Sequence, residues 1–522
     1  METRQIAPGL SVCGQIAPGD LEALAALGFR AIVCNRPDGE EAGQPSFAML
    51  ADAAGAQGIA MRYLPVGGGV TAQDQAADFA AALQDLPAPV LAYCRTGNRS
   101  EQVAKAAFAR APAPQGAKAP HYKVLIVGGG SAGIATAASI LKRRHGLSLG
   151  IVEPREDHFY QPGWTMVGGG VFQQRDTVRK TASVLPRGAE WIRDAVSSFD
   201  PDANAVQLAG GTRVTYDILI VAMGNRLAWE KIAGLEATLG KNGVTSNYRF
   251  DLAPYTWQLV QQMQGGRALF TQPPMPIKCA GAPQKAMYLS CSEWEKQGLL
   301  KNIEVEFHNA GGVLFGVPEY VPALMETVER YGIGLNFESN LIAVDGPNRT
   351  ATFRTPDGEV TRNFDMLHVV PPQEGNSVVA ASPLADANGY AEVDAATLRH
   401  VRFANVFALG DGCNTGNAKT AAAARKQAPV VAVNALAALD GRDAVAAYDG
   451  YGSCPLTVDR GHIVLAEFTY GGKLSPTLPT WLIDGTRPSR LAWYLKADAL
   501  PPIYWHGMLK GREWLVPPVP LQ

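Results

Sequence analysis

A strand, a glycine-rich turn and a helix constrain this chain more than any other feature. The segment HYKVLIVGGGSAGIATAASILKRR places a buried strand before Gly128, Gly130 and Gly133, and a helix of small residues follows. Glu153 ends the next strand-like run, LSLGIVE, 20 residues after the third glycine. Glycines let the backbone approach a pyrophosphate at the helix N-terminus, and the acid accepts hydrogen bonds from ribose hydroxyls. The segment therefore predicts a Rossmann-like dinucleotide-binding fold.

Two later segments favour FAD over NAD at this site. YDILIVAMG reads as a strand that ends at Gly224, and NVFALGDG reads as a strand that runs into Asp411. In flavoproteins with two dinucleotide-binding folds, such an aspartate typically binds the ribityl chain of FAD. Lys419, in the helix opening KTAAAARKQ that follows, is a further candidate. Gly224, Asp411 and Lys419 therefore complete the predicted cofactor site.

The second glycine-rich loop, which would bind a nicotinamide cofactor, is missing. The strand-like run RALF is followed by QPPMPIKCAGAPQK, which contains prolines, two lysines and Cys279. Near a helix N-terminus and a lysine such as Lys285, the pKa of a cysteine falls and its thiolate becomes a nucleophile. Cys413, two residues after Asp411, is expected near the flavin ring. The alternative is that both thiols are small buried hydrophobic groups.

The amino-terminal region predicts a separate α/β domain with a thiol of its own. PVLAYCRTGNRSEQVAKAAF reads as strand, loop and helix, with Cys94 and Arg99 at the ends of the loop. Successive backbone N–H groups in such a loop form an anion site that lowers the pKa of a thiol. The Cys-x4-Arg spacing matches rhodanese sulfurtransferases and is one residue shorter than the loop of protein tyrosine phosphatases. With NRPDGEE (35–41), the region resembles a bacterial phosphatase-like family that also includes sulfurtransferases; an inactive loop is the alternative.

Four further segments carry a resemblance over most of the remaining chain, from about Tyr122 almost to the C-terminus. They are DHFYQPGWT (157–165), PIKCAGAPQKAMYLS (276–290), KTAAAARKQ and YDGYGSCPLT (448–457). They resemble the sulfide:quinone oxidoreductases, particularly the mitochondrial type, although Gly412 stands where those relatives have a cysteine directly after Gly-Asp.

This resemblance implies that Cys279 and Cys413 form a disulfide or trisulfide beside FAD. Hydrosulfide would attack the bridge and leave a persulfide on one cysteine, and the electrons would pass through the flavin to a membrane quinone. A small thiol, sulfite or cyanide would take the sulfur, and Cys94 would relay it.

The carboxyl-terminal segment and the composition bear on location. Four of the nine tryptophans lie among basic residues in the last 43 residues, which favours an interfacial membrane anchor over packing on the core or an oligomer contact. A net charge of −2 gives no reason to expect nucleic acid, and no metal site is predicted. The first residues lack a signal-peptide pattern, and seven cysteines in such a chain do not suggest a disulfide framework. We expect a peripheral protein on the cytoplasmic side of the membrane and leave a homodimer open.

These patterns together predict an α/β protein with two Rossmann-like folds of the FAD/NAD(P)-binding type. The predicted boundaries are 1–110 for the phosphatase/rhodanese-like domain, 111–121 for a linker, 122–445 for the FAD-dependent oxidoreductase with a second, NAD-like subdomain at about 255–370, and 446–522 for an amphipathic membrane- and quinone-associated tail. Two alternative functions remain. One is a type II NADH:quinone oxidoreductase, and the other is a phosphatase with a flavin redox sensor.

Overall fold

The computed structural model describes residues 3–7, 9–110 and 119–521, so most of the predicted linker lies outside the described residues. Contacts divide the chain into two compact units. The first comprises residues 1–121 with 194–198 and 205–215, and the second comprises the other residues from 122 onward.

A five-stranded sheet forms the amino-terminal unit. Its strands are β1 (Arg4–Ala7), β2 (Leu10–Cys13), β3 (Ala31–Cys34), β4 (Ala60–Tyr63) and β5 (Val90–Tyr93), and its helices are α1 (Leu21–Ala26), α2 (Phe47–Ala56), α3 (Ala76–Asp85) and α4 (Asn98–Arg110). The order is β1-β2-β5-β3-β4, with all pairs parallel except β1-β2. Because α1 and α2 pack on one face and α3 and α4 on the other, β3 and β5 are buried at every position. The Cys94 loop, residues 94–100, therefore begins directly after the central strand.

The dinucleotide-binding sheet of the second unit has the order β10-β7-β6-β13, and β24 pairs with the other edge of β13. The strands along residues 121–227 are β6 (His121–Val127), β7 (Leu149–Val152), β8 (Asp157–Phe159), β9 (Val178–Lys180), β10 (Ala189–Ile192), β11 (Val196–Asp200), β12 (Ala205–Leu208), β13 (Arg213–Val221) and β14 (Asn225–Leu227). Of these, β12 and parts of β11 and β13 belong to the first unit. The helices along this stretch are α5 (Ser131–Arg143), α6 (Trp164–Gly168), α7 (Thr181–Val184) and α8 (Leu235–Thr238). Helix α5 follows β6 as the glycine pattern predicts.

A second parallel sheet has the order β15-β22-β16-β17-β18, beside the antiparallel sheet β19-β20-β21. These strands and the later β23 and β24 are β15 (Val244–Thr245), β16 (Gly266–Gln272), β17 (Ile303–Asn309), β18 (Gly334–Phe337), β19 (Asn340–Asp345), β20 (Thr350–Thr355), β21 (Gly358–Asn363), β22 (Met366–His368), β23 (Gln373–Gly375) and β24 (Val406–Ala408). The helices of this stretch are α9 (Ala253–Gln262), α10 (Ala282–Lys296), α11 (Val321–Tyr331) and α12 (Ser377–Ala380). The predicted α/β fold is thus confirmed.

The remaining described residues, from 421 onward, also belong to the second unit. Helix α13 (Ala421–Leu439) packs on α5, and the hairpin of β26 (Gly452–Asp459) and β27 (His462–Phe468) packs on α10. A short antiparallel pair joins β25 (Ala446–Ala447) to β28 (Val519–Pro520), and α14 (Arg490–Tyr494) and α15 (Leu500–Pro502) belong to a nearly continuous helical run up to residue 510. Within the described ranges, no helix is both long and apolar enough to cross a bilayer.

Candidate active site: a thiol pair and a dinucleotide loop

The glycines of the dinucleotide loop, residues 128–133, lie where the backbone is most crowded. A Cβ atom at Gly128, which has φ of +110°, would lie 2.4 Å from the carbonyl oxygen of Ala222. A Cβ atom at Gly133 would lie 1.9 Å from the carbonyl oxygen of Gly128, whereas one at Gly130 would meet no atom within 4 Å. Two of the glycines therefore permit the turn, and the third faces open space, as the close approach of a pyrophosphate requires.

The acid at the end of β7 lies beside this loop. Glu153 accepts hydrogen bonds from the backbone N–H groups of Gly129 at 2.8 Å and Arg155 at 2.9 Å. Its carboxylate has lone pairs left for ribose hydroxyls, because two oxygens offer about four acceptor positions. The position and chemistry of Glu153 therefore fit the predicted dinucleotide contact.

The second cofactor segment brings Asp411 to Gly224. A Cβ atom at Gly412 would lie 2.8 Å from the carbonyl oxygen of Gly224, so only glycine allows these two turns to meet so closely. Burial raises the pKa of Asp411, while Lys278 and Lys419 oppose this rise. In the described part of the chain, no hydrogen bond or ion pair reaches its carboxylate, which leaves it available to the hydroxyl groups of a bound flavin nucleotide.

The structure brings Cys279 to a different thiol from Cys413, the partner that the sequence resemblance implied. The Sγ atom of Cys279 lies 3.3 Å from Sγ of Cys454, which β26 brings to the start of α10. The expected partner Cys413 is buried elsewhere, where its thiol donates to the carbonyl oxygen of Gly410 and lies 3.1 Å from Oγ1 of Thr415. Sequence reasoning missed Cys454, although the segment YDGYGSCPLT that carried the family resemblance contains it.

The hydrogen bond between the two thiols, with Lys285 beside one of them, makes the pair of Cys279 and Cys454 strongly asymmetric. The hydrogen bond from Cys454 holds the pKa of Cys279 well below the usual cysteine value, although burial opposes this, and Lys285 adds to it with Nζ 3.2 Å from Sγ. The same hydrogen bond and burial hold the pKa of Cys454 well above that value. Cys279 is therefore the thiolate of the pair, and Cys454 remains a thiol.

The backbone around Cys279 is shaped for this contact. Cys279 has φ of +82°, a left-handed backbone conformation that residues other than glycine rarely adopt. Gly281 follows, and a Cβ atom there would lie 2.8 Å from Sγ of Cys454 and 2.3 Å from Cδ2 of Leu456. The two sulfurs can lie in contact because position 281 has no side chain.

A lysine from the carboxyl-terminal region adds a cation that sequence reasoning did not anticipate. Lys496 is buried, and its Nζ donates to the carbonyl oxygen of Pro162 at 3.1 Å. Burial and the neighbouring Lys285 lower the pKa of Lys496 to about 7, against the attraction of the two thiols. Lys419, predicted as a cofactor residue, donates to the carbonyl oxygen of Cys413 at 2.6 Å and so supports the turn that carries Asp411.

The Cys94 loop of the amino-terminal unit activates a thiol by a different route. Burial raises the pKa of Cys94, but hydrogen bonds from the backbone N–H groups of Ser100, Thr96 and Arg99, with the Ser100 hydroxyl, outweigh burial and lower it. The N–H of Gly97 lies 3.1 Å from Sγ. These donors form the anion site that the sequence predicts.

The predicted Arg99 lies beside Cys94 but is paired with another residue. Its Nη1 and Nη2 atoms each donate to one carboxylate oxygen of Glu40 at 2.7 Å, and Nη1 also donates to the carbonyl oxygen of Val66. Glu40 belongs to the NRPDGEE segment, which explains why that segment accompanies the Cys94 loop in the sequence resemblance.

The tail exposes some of its aromatic side chains and buries others. Trp481 is 83% exposed and Trp514 is 51% exposed, whereas Trp505 is 7% exposed and lies with its ring centroid 5.8 Å from that of His158. Exposed apolar residues near them include Leu482, Leu491, Tyr494 and Leu515. The tail thus has a buried part and an apolar exposed part.

Comparison with known proteins agrees with both units. Residues 122–256 match the pyridine nucleotide-disulphide oxidoreductase family, and residues 2–111 match the phosphatase-like domain of beta-lactamase hydrolase-like proteins. The chain is 41% identical over 393 residues to the mitochondrial sulfide:quinone oxidoreductase of Dictyostelium discoideum, an alignment that covers 75% of this chain and 86% of that protein. It is 40% identical over 395 residues to the mitochondrial enzyme of Mus musculus, with 75% and 87% covered.

Two more similarities concern the fold and the amino-terminal unit. A solved structure of the sulfide:quinone oxidoreductase of Aquifex aeolicus aligns with a TM-score of 0.64 and 20% identity, covering 76% of this chain and 92% of that one. A beta-lactamase hydrolase-like protein of Agrobacterium fabrum is 35% identical over 100 residues, which cover 19% of this chain and 23% of that protein.

The glycine loop, Asp411 and the adjoining thiol pair define a flavin-dependent oxidoreductase of the disulfide type. With more than four fifths of each mitochondrial relative aligned at 40–41% identity, the chain belongs to the sulfide:quinone oxidoreductase family.

Proposed function

We propose that this protein oxidises sulfide and reduces a membrane quinone, with FAD bound at the dinucleotide loop. The observation that carries the proposal is the contact of Cys279 with Cys454 at 3.3 Å, with Lys285 3.2 Å from the Cys279 sulfur. In its disulfide form such a pair is attacked by hydrosulfide directly, so no nicotinamide is needed.

The difference in pKa between the two thiols decides which sulfur of the disulfide hydrosulfide attacks. In its oxidised state the pair is a disulfide, and hydrosulfide breaks the S–S bond by attacking one sulfur. The sulfur with the lower thiol pKa leaves more readily, so Cys279 departs as a thiolate and Cys454 retains the new sulfur as a persulfide. Lys285 stabilises the departing charge, and Lys496 adds a second cation below about pH 7.

Re-formation of the disulfide releases the two electrons that the oxidation of sulfide provides. Transfer of the persulfide sulfur to an acceptor leaves Cys454 as a thiol beside the Cys279 thiolate. Their reunion as a disulfide releases two electrons and one proton. Bound FAD supplies a two-electron acceptor that can in turn reduce a quinone.

Anaerobic bleaching of the flavin tests this proposal. With sulfite present as sulfur acceptor, sulfide should bleach the wild-type flavin and NADH should not, and the Cys279→Ser and Cys454→Ser variants should lose the response to sulfide. Bleaching by NADH that persists in both variants would instead indicate a type II NADH:quinone oxidoreductase.

The Cys94 loop supports a second role, sulfur transfer within the amino-terminal domain. Its thiolate is held by backbone N–H groups, as suits a persulfide on Cys94. We propose that Cys94 takes sulfane sulfur, directly or through a small thiol, and passes it to an acceptor such as sulfite or cyanide. A Cys94→Ser variant that gives the same sulfur products at unchanged rates would contradict this relay, and phosphoester turnover that depends on Cys94 would favour a phosphatase.

The exposed part of the tail supports peripheral binding to the membrane that holds the quinone. Exposed Trp481, Leu482 and Leu491, with the exposed Arg487, have the composition of an interfacial anchor. Flotation with liposomes should recover the wild type. A Trp481→Ala/Leu482→Ala variant should remain largely in the soluble fraction, whereas equal recovery of both proteins would place the membrane contact elsewhere. We place this surface on the cytoplasmic side.

A further inference from the structure

The carboxyl-terminal segment 504–514, here called the strap, lies along helix α5 directly after the dinucleotide loop. Near the end of the strap, Glu513 accepts two hydrogen bonds from Arg143 at 2.6 and 2.7 Å and one from the Ser139 hydroxyl at 2.7 Å. A Cβ atom at Gly511 would lie 2.8 Å from the carbonyl oxygen of Ala138, so the strap backbone lies directly against the helix. The strap is thus fixed along the helix that follows the cofactor loop.

At its other end, the strap is connected to the dinucleotide loop by a buried series of hydrogen bonds. The Tyr504 hydroxyl lies 2.7 Å from Nε2 of His158 and 2.7 Å from Oγ of Ser131. Nδ1 of His158 lies 3.1 Å from the carbonyl oxygen of Gly129. Gly129 and Ser131 are the two neighbours of Gly130, the glycine that faces open space.

The chemistry of these groups determines which atom donates in each of these hydrogen bonds. A carbonyl oxygen only accepts, so His158 carries its proton on Nδ1 and donates to Gly129. Nε2 then accepts from the Tyr504 hydroxyl, whose oxygen accepts from Ser131. Burial lowers the pKa of His158 to about 4, so the ring is neutral at physiological pH and this arrangement persists.

These contacts have no role in the proposed sulfur chemistry, but they can hold a glycine-rich loop in one conformation. Glycines leave a loop many conformations, and ordering them costs free energy that weakens ligand binding. A fully satisfied buried network selects one conformation. Tyr504 is 4% exposed and its ring centroid lies 4.7 Å from that of Tyr160, so its hydroxyl is well fixed.

We propose that the strap is a latch that holds the dinucleotide loop in its flavin-binding conformation, with Tyr504 as the positioning residue. The proposal rests on the FAD site proposed above. Because coupling between two sites is reciprocal, bound flavin also holds the strap against α5.

Two tyrosine variants test the latch by flavin affinity. Tyr504→Phe removes the link between His158 and Ser131, and Tyr331→Phe is the matched control: Tyr331 is also 4% exposed and donates its hydroxyl to the carbonyl oxygen of Val458. We expect Tyr504→Phe to raise the FAD dissociation constant about tenfold, and Tyr331→Phe by less than about twofold, with similar melting temperatures of the two apoproteins. An unchanged dissociation constant for Tyr504→Phe overturns the latch.

A milder pair of variants keeps the proposal testable if Tyr504→Phe does not fold. Glu513→Gln weakens the far end of the strap and should raise the dissociation constant about threefold. Asp440→Asn breaks the neighbouring Arg144–Asp440 pair outside the strap and should leave it unchanged. Equal effects of the two variants would contradict the latch.

Hydrogen exchange supplies the reciprocal measurement. Strap amides should exchange faster in the apoprotein than with FAD bound, while amides of the β26–β27 hairpin, apart from the segment around Cys454, change less. Equal exchange in the strap with and without FAD overturns the latch. If the wild type binds no FAD at all, the cofactor assignment fails and the latch fails with it.

Discussion

Cys279 and Cys94 are both activated thiols, but the protein lowers the pKa of each by a different route. At Cys279 the stabilising groups are side chains: the thiol of Cys454, which comes from a distant part of the chain, and the ammonium group of Lys285, which is six residues away. At Cys94 they are backbone N–H groups and one hydroxyl within the next six residues. A site made of side chains can be altered by single substitutions and by pH, whereas one made of backbone amides depends mainly on the loop conformation.

The largest expected effect separates the two candidate partners of Cys279. Cys454→Ser should slow sulfide-dependent flavin reduction by at least about 10³-fold, because no disulfide can form. Cys413→Ser should change the rate by less than about fivefold, since its thiol contacts Gly410 and Thr415 instead. Stopped-flow absorbance of the flavin measures both rates, and the reverse order would restore Cys413 as the redox partner.

The next effect concerns the lysine at the thiol pair. Lys285→Met should raise the pKa of Cys279, because it removes the nearest positive charge. At a pH below the wild-type pKa, the thiolate fraction should then fall by at least about tenfold. Iodoacetamide labelling against pH, followed by mass spectrometry of each cysteine peptide, measures it. The Cys94 profile in the same samples is the control, and a shift there would show a general structural change.

A smaller steric effect is expected at Gly281. An alanine Cβ there would press on Cys454 and Leu456, and relief of such crowding costs about 1–3 kcal/mol. Gly281→Ala should therefore slow disulfide formation between the two cysteines about tenfold. Gly312→Ala is the control, because a Cβ atom there meets nothing within 4 Å. Timed quenching with a thiol reagent measures the rates, and equal rates would mean that the sulfurs adjust freely.

Titration also distinguishes the two sites, since backbone amides do not titrate in this range. The pKa of Lys496 falls from 10.5 to about 7 on folding, so between these values the unfolded chain binds more protons. The free energy of unfolding should therefore rise with pH across this window, by up to about 1.4 kcal/mol per unit from this group. Lys496→Met should remove that rise and the exposed Lys473→Met should not. Urea unfolding at pH 7 and pH 9 measures the difference, and an unchanged slope in Lys496→Met would show that the lysine is already charged.

The smallest expected effect is at the loop thiol. Ser100→Ala removes the one side-chain hydroxyl that favours the Cys94 thiolate and should raise the pKa of Cys94 less than Lys285→Met raises that of Cys279, because the backbone donors remain. The same labelling experiment measures it, with Cys279 as the unaffected control. A shift as large as that of Lys285→Met at Cys279 would mean that the hydroxyl, rather than the backbone, stabilises the thiolate.

Much of the fold and the Cys94 loop could be predicted from sequence because their determinants are local. The strand, turn and helix around Gly128 lie within 24 consecutive residues, and the Cys94 loop is set by the seven residues 94–100. The lysine that contacts Cys279 is only six residues away, one turn into α10, and could also be proposed. Spacing along the chain was sufficient in each case.

The partner of Cys279 could not be predicted in the same way. Cys413 is 134 residues away from it and Cys454 is 175 away, so neither distance along the chain indicates contact. The outcome depends on how the β26–β27 hairpin packs on α10, and on whether Gly281 leaves room for the sulfur. Lys496 was missed for the same reason, since a basic residue among tail aromatics resembles an interfacial one.

The sequence by itself determined where the dinucleotide loop and the Cys94 loop lie and which chemical groups they offer, since hydrogen bonding and backbone freedom within a few residues decide both. Only the tertiary structure decided that Cys454 adjoins Cys279, that Lys496 is buried, and that Tyr504 reaches the loop beside Gly130. Those contacts depend on the packing of segments far apart in the chain, where shape and burial, rather than spacing, select the neighbours.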